Sequence, residues 1–334
     1  MPEWTTPWAP GASTGLGPLP GTDPAEATAV AFGEAPDLPF LPELPGRGAG
    51  AEAVGRTAAL LVGLHADVFA GRWRLVARQG RDERLALELL ERDLDALEAL
   101  AEDHPGPVKI EMLGPWSLAA ALERPRGDKA LADAGAVRDL AESLAEGVAG
   151  HAVAVRRRLP RVERLLVQLD EPFLPAVLRG ELRSASGWSG LPVPEAATVE
   201  EVLAGVMAAA GPDAGVWCDA PEPPLGLLRR AGAMFVACSA EALDSVPEEE
   251  VGDAIEAGAG ILLGLVPAPT GARPDPHDLA SPARRIWSRL GLGHGHWDGV
   301  VVTEDADLAV LSDADARSVL ARCRDVARSL RDEN

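Results

Sequence analysis

The sequence predicts an α/β fold and, within that class, a single (β/α)8 TIM barrel. Short runs of Val, Leu and Ile alternate with longer amphipathic stretches along the whole chain. Eight such runs occur, most of them apolar on both faces, as parallel strands covered by helices require. The Pro/Gly-rich stretches 184–198 and 266–280 fall between a strand and a helix, where loops over the C-terminal face of a barrel belong. An open, doubly wound sheet is the alternative arrangement of the same pattern.

Residues 1–11 are rich in Pro and Trp, lack periodicity and read as a loose arm; 12–334 read as the barrel. The expected strands are Ser13–Gly17, Trp73–Arg78, Val108–Leu113, Arg164–Asp170, Ala214–Cys218, Met234–Cys238, Ile261–Val266 and Gly299–Thr303. Helix Arg81–Asp103 follows from leucines at 85, 89, 90, 94, 97 and 100, which form a wide apolar stripe. Ala130–Leu159 has the same pattern. Val199–Ala210, Pro224–Ala231, Glu248–Gly258, Pro282–Leu290 and Asp313–Arg331 complete the helices. Pro105-Gly106-Pro107 and Gly211-Pro212 stop two of them.

Composition narrows the function. Of the 334 residues 47% are hydrophobic and 25% charged, an ordinary globular balance. Acidic residues number 52 against 31 basic, for a net charge of −21. A field of that sign repels phosphate backbones and anionic lipid, so neither nucleic acid nor a membrane surface is an expected partner. The short basic group Arg156, Arg157, Arg158, Arg161 and Arg164 reads as the solvated end of a helix. Three cysteines, Cys218, Cys238 and Cys323, point to a reducing compartment rather than a disulfide framework. No basic and apolar signal pattern opens the chain, and no stretch approaches ~18 uncharged apolar residues. A cytoplasmic protein is the expectation. With two lysines, Lys109 and Lys129, and no tyrosine, Lys and Tyr catalysis are nearly excluded.

In a barrel the chemistry lies at the C-terminal ends of strands. The first expected strand ends in Leu16-Gly17-Pro18, where glycine allows close backbone approach. The third ends in Glu111-Met112-Leu113, the fourth in Asp170-Glu171, the fifth in Cys218-Asp219 and the sixth in Cys238-Ser239. Glu304, Asp305 and Asp307 follow the eighth. Adjacent carboxylates on a strand point to opposite faces, so one of Asp170 and Glu171 faces the barrel mouth and the other is free to cap a helix. Cys218 and Cys238 read as buried structural thiols, because His294 and His296 fall before strand eight, at the opposite mouth.

Six motifs, "STGLGPLPGTDP", "LPFLPELPGRG", "LGPWSLAAALE", "VQLDEPFLPAVL", "CDAPEPPLGLLRRAGA" and "VVVTEDADLA", follow one another from about residue 12 to the C-terminus. In this order they resemble the C-terminal catalytic barrel of the cobalamin-independent methionine synthases, whose opening reads "TGIGSLP". The length resembles the short, single-barrel branch. The resemblance implies a (β/α)8 barrel and a methyltransferase that moves a methyl group from a folate, or another carrier, to the sulfur of homocysteine. It implies a small-molecule amino acid and a methyl donor as partners. It also implies a zinc ion that holds the sulfur as thiolate, the nucleophilic form.

Carried over residue by residue, the amino-acid site is matched better than the metal site. Leu16 and Gly17 match, with Pro18 in place of a serine and therefore without a backbone donor. Glu43 matches the acidic group that holds the substrate ammonium, and Asp170 matches the family aspartate. These residues are expected to share one polar pocket beside the Leu16–Pro18 loop. The family's H-x-C falls on Val216–Cys218 or on Trp217–Asp219. Its acidic ligand falls near Ser239 with Glu241 close by, and its last cysteine near Ala306, beside Asp305. Cys218, Asp219, Glu241 and Asp305 are the only candidate ligands, and no cofactor is expected unless zinc is kept in an altered site. A catalytically inactive family member serving as a binding or regulatory protein is the alternative. The expected outcome of metal analysis on protein purified without added metal is no stoichiometric zinc; a content near 1:1, lost in Cys218→Ser, overturns it.

Overall fold

The structure, a computed structural model, describes residues 6–332 apart from 185, 272, 273 and 293. The strands are β1 (His65–Phe69), β2 (Arg72–Val76), β3 (Val108–Leu113), β4 (Leu165–Asp170), β5 (Ala214–Trp217), β6 (Phe235–Ser239), β7 (Gly260–Pro267) and β8 (Val300–Asp305). β3 to β8 form one parallel sheet in sequence order, and the sheet curls into a half-barrel. Six of the eight expected strands are therefore in it. The expected eight-stranded ring is not formed by strands among the described residues.

Prolines account for part of this difference. The first expected strand, Ser13–Gly17, makes a single bridge from Ser13 to Val302 on β8. Thr14 N donates to Val302 O (3.1 Å), and Val302 N donates to Ala12 O (3.1 Å). Next to β3 lies segment 39–43, bridged from Phe40 to Lys109. Segments 12–19 and 39–43 touch through a further bridge, Pro18 to Glu43. Pro18, Pro20, Pro39 and Pro42 lack the N–H that a ladder needs, so both segments stay extended without becoming strands.

The second expected strand, Trp73–Arg78, lies outside the sheet. It is the second half of a β1–β2 antiparallel hairpin whose end pair is Phe69 and Arg72. Ala70 and Gly71 between them have φ of 50° and 78°, as a two-residue type I′ turn demands. Arg72 and Arg74 flank Trp73, and both guanidiniums pair with Glu123, at 3.2 and 2.5 Å. A central parallel strand has no room for two such arginines.

Helices Arg81–Ala101, Ala134–Arg158, Ala196–Ala210 and Asp313–Arg331 supply the longest outer cover. In the first, Leu89, Leu90, Leu94 and Leu97 are buried, while Leu85 and Leu100 face solvent. Two apolar layers result. Val108, Ile110, Leu165, Val167, Val216, Val236, Cys238, Ile261 and Val302 lie in the layer packed against the helices. Leu166, Phe235, Ala237, Leu262 and Val301 form a second layer on the inner face. Among the described residues no helix is long and apolar enough to cross a membrane. His294 and His296 fall in a 3-10 turn over His294–Gly299, and their imidazoles lie outside the described residues.

Trp8 belongs to the arm expected to be loose, yet it is 4% exposed. Its ring meets Phe235 edge to face, with centroids 6.1 Å apart, and fills the space above Gly260, where a Cβ would lie 2.4 Å from it. Trp8 closes the inner layer from below. Trp8→Ala should cost roughly 3–5 kcal/mol in chemical denaturation, the loss for a buried aromatic. A change below about 0.5 kcal/mol would show that the arm contributes nothing to the core.

Candidate functional site

Strand alternation places polar side chains inside the curl. On β3, Val108, Ile110 and Met112 face the helices, so Lys109 and Glu111 face inward. On β4, Leu165, Val167 and Leu169 face the helices; Leu166 belongs to the inner layer, and Gln168 and Asp170 follow it toward the C-terminal end. Glu43 joins them from the bridged segment, and Glu304, on the same parity of β8 as Val302, reaches the first loop at Leu16. All are buried: Lys109 and Gln168 have no exposure, and Asp170, the most open, has 8%.

The contacts knit this interior to the first loop. Leu16 N donates to Glu304 Oε1 (2.7 Å). Gln168 Nε2 donates to Leu16 O (3.1 Å) and to Asp170 Oδ1 (2.8 Å). Glu43 N donates to Gly17 O, and Leu19 N to Glu43 O. Gly17 sits at φ +132° over Glu111, whose side chain would be 2.8 Å from an added Cβ. The glycine expected to admit a ligand thus admits Glu111. The structure brings Leu16, Gly17, Pro18, Glu43 and Asp170 close to one another.

Six participants went unassigned in the sequence: Arg56, Asp93, Lys109, Glu111, Gln168 and Glu304. Arg56 is 3% exposed; its Nε lies 3.4 Å from Glu43 Oε1 and its Nη1 donates to Asp93 Oδ2 at 2.6 Å. Arg47 grips the same Asp93 with two bonds of 2.7 and 2.8 Å. Lys109 Nζ is 3.3 Å from Glu111 Oε2. The signal for Lys109 and Glu111 was present: charges at alternate positions of an apolar strand mark a polar inner face. Arg56 and Asp93 carried no such signal, because they meet only through tertiary packing.

Burial dominates the electrostatics. It pushes the Asp170 carboxyl well above the ordinary range, and the neighbouring Glu43 charge adds to this. Burial raises Glu43, with Arg56 opposing. It raises Glu111 to about 8, opposed mainly by Lys109, and Glu304 to about 7, opposed by the Leu16 N–H. His151, buried beside Arg56, is pushed down to about 4 by desolvation and then by the Arg56 charge. Glu111 Oε1, Gln168 Oε1 and Glu304 Oε2 are buried with no hydrogen-bond partner.

Glu171 has a different task. Its Oε1 accepts from Trp116 N (2.9 Å), and its Oε2 accepts from Ser117 N (2.8 Å) and Ser117 Oγ (2.7 Å). It therefore caps helix Pro115–Ala121 and leaves Asp170 to face the interior.

Of the candidate metal ligands, Cys218 is set apart from the three carboxylates. Cys218 lies in the layer between sheet and helices, and burial holds its thiol well above the usual range. Trp217 packs beside the inner layer instead. Trp217 is thus the inward position at the end of β5, while Asp219, just past the strand, is exposed. Asp219 Oδ1 accepts from Ser239 N (2.9 Å). Glu241 and Asp305 line a pocket of about 260 Å³ together with Asp244 and Arg285. Burial raises the Asp305 carboxyl, and the charges of Asp219 and Glu241 raise it further. These hard oxygen donors, without thiolate or imidazole, do not fit a tetrahedral zinc ion. Among the described residues no three His, Cys, Asp or Glu side chains converge as a metal site.

No protein-family model matches the chain, and no curated protein matches it in sequence. Solved structures do match. A B12-independent methionine synthase from Shewanella sp. W3-18-1, in complex with selenomethionine, has a TM-score of 0.63 at 12% identity over 98% of this chain and 98% of that one. A mutant tryptophan synthase α-subunit from Pyrococcus furiosus covers 96% of this chain and 99% of its own, at 10% identity and a TM-score of 0.37. The first match shows a shared fold along the whole chain.

The interior sets a pH dependence. Glu111 and Glu304 titrate higher in the folded state than in the unfolded chain, so their protonated forms favour folding. That contribution is complete below the unfolded carboxylate range and is lost as pH rises through about 7 and about 8. Ligand-free protein should lose thermal stability from pH ~6 to ~8.5, and Glu111→Gln should flatten the profile by roughly 2 kcal/mol. A melting temperature that rises over this interval in wild type would contradict the assignment.

Proposed function

We propose that this chain is a methionine-synthase-like methyltransferase barrel that acts on an amino acid of the homocysteine or methionine type. The six-stranded sheet and the two bridged segments are read as one (β/α)8 barrel spanning 12–334, with its first two strands frayed by proline. The amino-acid ammonium is held by Glu43 and Asp170 beside the Leu16–Pro18 loop. One observation carries this proposal. Several buried carboxyls share a low-dielectric interior and lack countercharge, and an ammonium ion supplies it.

Other features support the same reading. The fold is shared with an enzyme whose structure holds selenomethionine, the selenium counterpart of methionine. The polar residues cluster at the C-terminal end of β4, the end at which barrel enzymes bind substrate. Methyl transfer forms a carbon–sulfur bond, breaks the bond to the carrier and releases the thiol proton. We propose that no zinc takes part, because the side chains at the mouth do not suit it, and that buried carboxylates receive that proton.

Binding is measured by calorimetry with homocysteine, methionine and the methionine analogue that lacks the amino group. The two amino acids should bind and the desamino analogue should not. Asp170→Asn should weaken methionine by at least about tenfold, roughly 1.4 kcal/mol. Affinity should rise with pH between ~6 and ~8.5, because the ammonium displaces protons from raised carboxyls as it binds. Equal binding by Asp170→Asn and wild type removes Asp170 from the site.

A further inference from the structure

We infer that the interior takes a ligand with a second positive centre, a methylated onium, in contact with Asp170 and the indole of Trp217. A sulfonium amino acid is the simplest such ligand. This rests on the amino-acid reading above and goes on to name the methyl donor.

Charge balance leads to it. Glu43, Asp93, Glu111, Asp170 and Glu304 are buried together, while Arg47, Arg56 and Lys109 are the bases among them. His151, which feels the Arg56 charge, is pushed down to about 4 by burial and adds no positive charge near pH 7. Three bases can balance at most three of the five carboxyls, so the others stay protonated until a cation arrives. An ordinary amino acid is a zwitterion and adds no net charge. A sulfonium amino acid adds one net positive charge and places two cationic centres among the carboxyls. Glu43 Oε1, Glu111 Oε1, Gln168 Oε1 and Glu304 Oε2 are buried acceptor atoms without a hydrogen-bond partner, and they outnumber the open donors beside them, Arg56 Nε and Trp217 Nε1. Buried acceptors left open in this way fit a cation better than an anion.

Trp217 gives the inference its chemical class. It pairs in register with Asp170 across β4 and β5, and Glu171 N donates to its carbonyl at 2.8 Å. Its side chain sits beside the inner layer, half-buried, at the level of the Asp170 carboxyl. A carboxylate next to an indole is a favourable setting for a methylated cation: the ring face attracts the charge spread over the methyl groups, and the carboxylate balances it. Asp219, Glu241 and Asp305 lie nearby at the C-terminal ends of the strands and repel an anionic donor.

The step balances without a metal. The sulfur of an acceptor thiol attacks the methyl carbon and forms the new carbon–sulfur bond. The bond from that carbon to the sulfonium sulfur breaks, and its electron pair stays on the departing sulfur, which becomes a neutral thioether. The thiol proton passes to an ionised carboxylate of the cluster. A proton thereby replaces the positive charge consumed, and the interior keeps its charge balance.

Calorimetry near pH 8 compares S-methyl-L-methionine with L-methionine, its neutral thioether counterpart. Wild type should bind the sulfonium at least about tenfold more tightly. Trp217→Leu should shrink that preference to about threefold or less; Trp217→Phe, which keeps a ring, should restore most of it. Circular dichroism melts verify that the variants fold. If methionine binds and the sulfonium binds no tighter, or if Trp217→Leu keeps the full preference, the inference falls and the amino-acid site stands. If neither compound binds wild type, the amino-acid reading falls as well.

Discussion

The Arg56 guanidinium lies between Glu43 and Asp93, and the interior charge of the half-barrel depends on it. A carboxylate inside a sheet covered by helices loses its water, at a cost of several kcal/mol unless a cation faces it. Arg56 faces two. Asp93 is in turn held by the bidentate grip of Arg47, so helix Arg81–Ala101 is tied electrostatically to the segment that carries Glu43. Lys109 serves Glu111 in the same way from the next position on its own strand face. These bases balance part of the acid. The remainder keeps raised carboxyl pKa values and open acceptor atoms, and the proposed cationic ligand rests on those two properties.

The surrounding architecture keeps that interior dry and in register. Trp8 and Phe235 close it below with aromatic surface. The first loop covers it, drawn down by Glu304 on the Leu16 amide and by Gln168 on the Leu16 carbonyl, with Gly17 admitting Glu111 beneath. The same prolines that keep segments 12–19 and 39–43 from forming ladders leave their backbone free for these side-chain contacts. Glu171, one residue from Asp170, anchors helix Pro115–Ala121 and steadies the end of β4 from the opposite face.

Much of this was legible in the chain. The runs Val108–Leu113 and Arg164–Asp170 announce buried parallel strands, and helix Asp313–Arg331 has the bounds its periodicity implies. Asp170 and Glu43 stand out because they end or follow such runs in motif order. The hairpin misled because Trp73 and its neighbours alternate like a strand, while the Ala70-Gly71 turn that pairs them backward is a weak signal without asparagine or aspartate. The ligand register at β5 stayed ambiguous because one residue of shift exchanges the two faces of a strand.

The sequence by itself determined the alternation of strands and helices, the acidic character of the protein and the strand ends at which chemistry is possible. Those are local properties, read from hydrophobic period, composition and turn residues. Only the tertiary structure decided that Trp217 faces inward while Cys218 faces the helices, that Trp8 is core, and that Arg56 stands between Glu43 and Asp93. Each of these depends on which face of an element meets which neighbour. Desolvation, which raises the pKa values of the clustered carboxyls, exists only once those faces have closed over them.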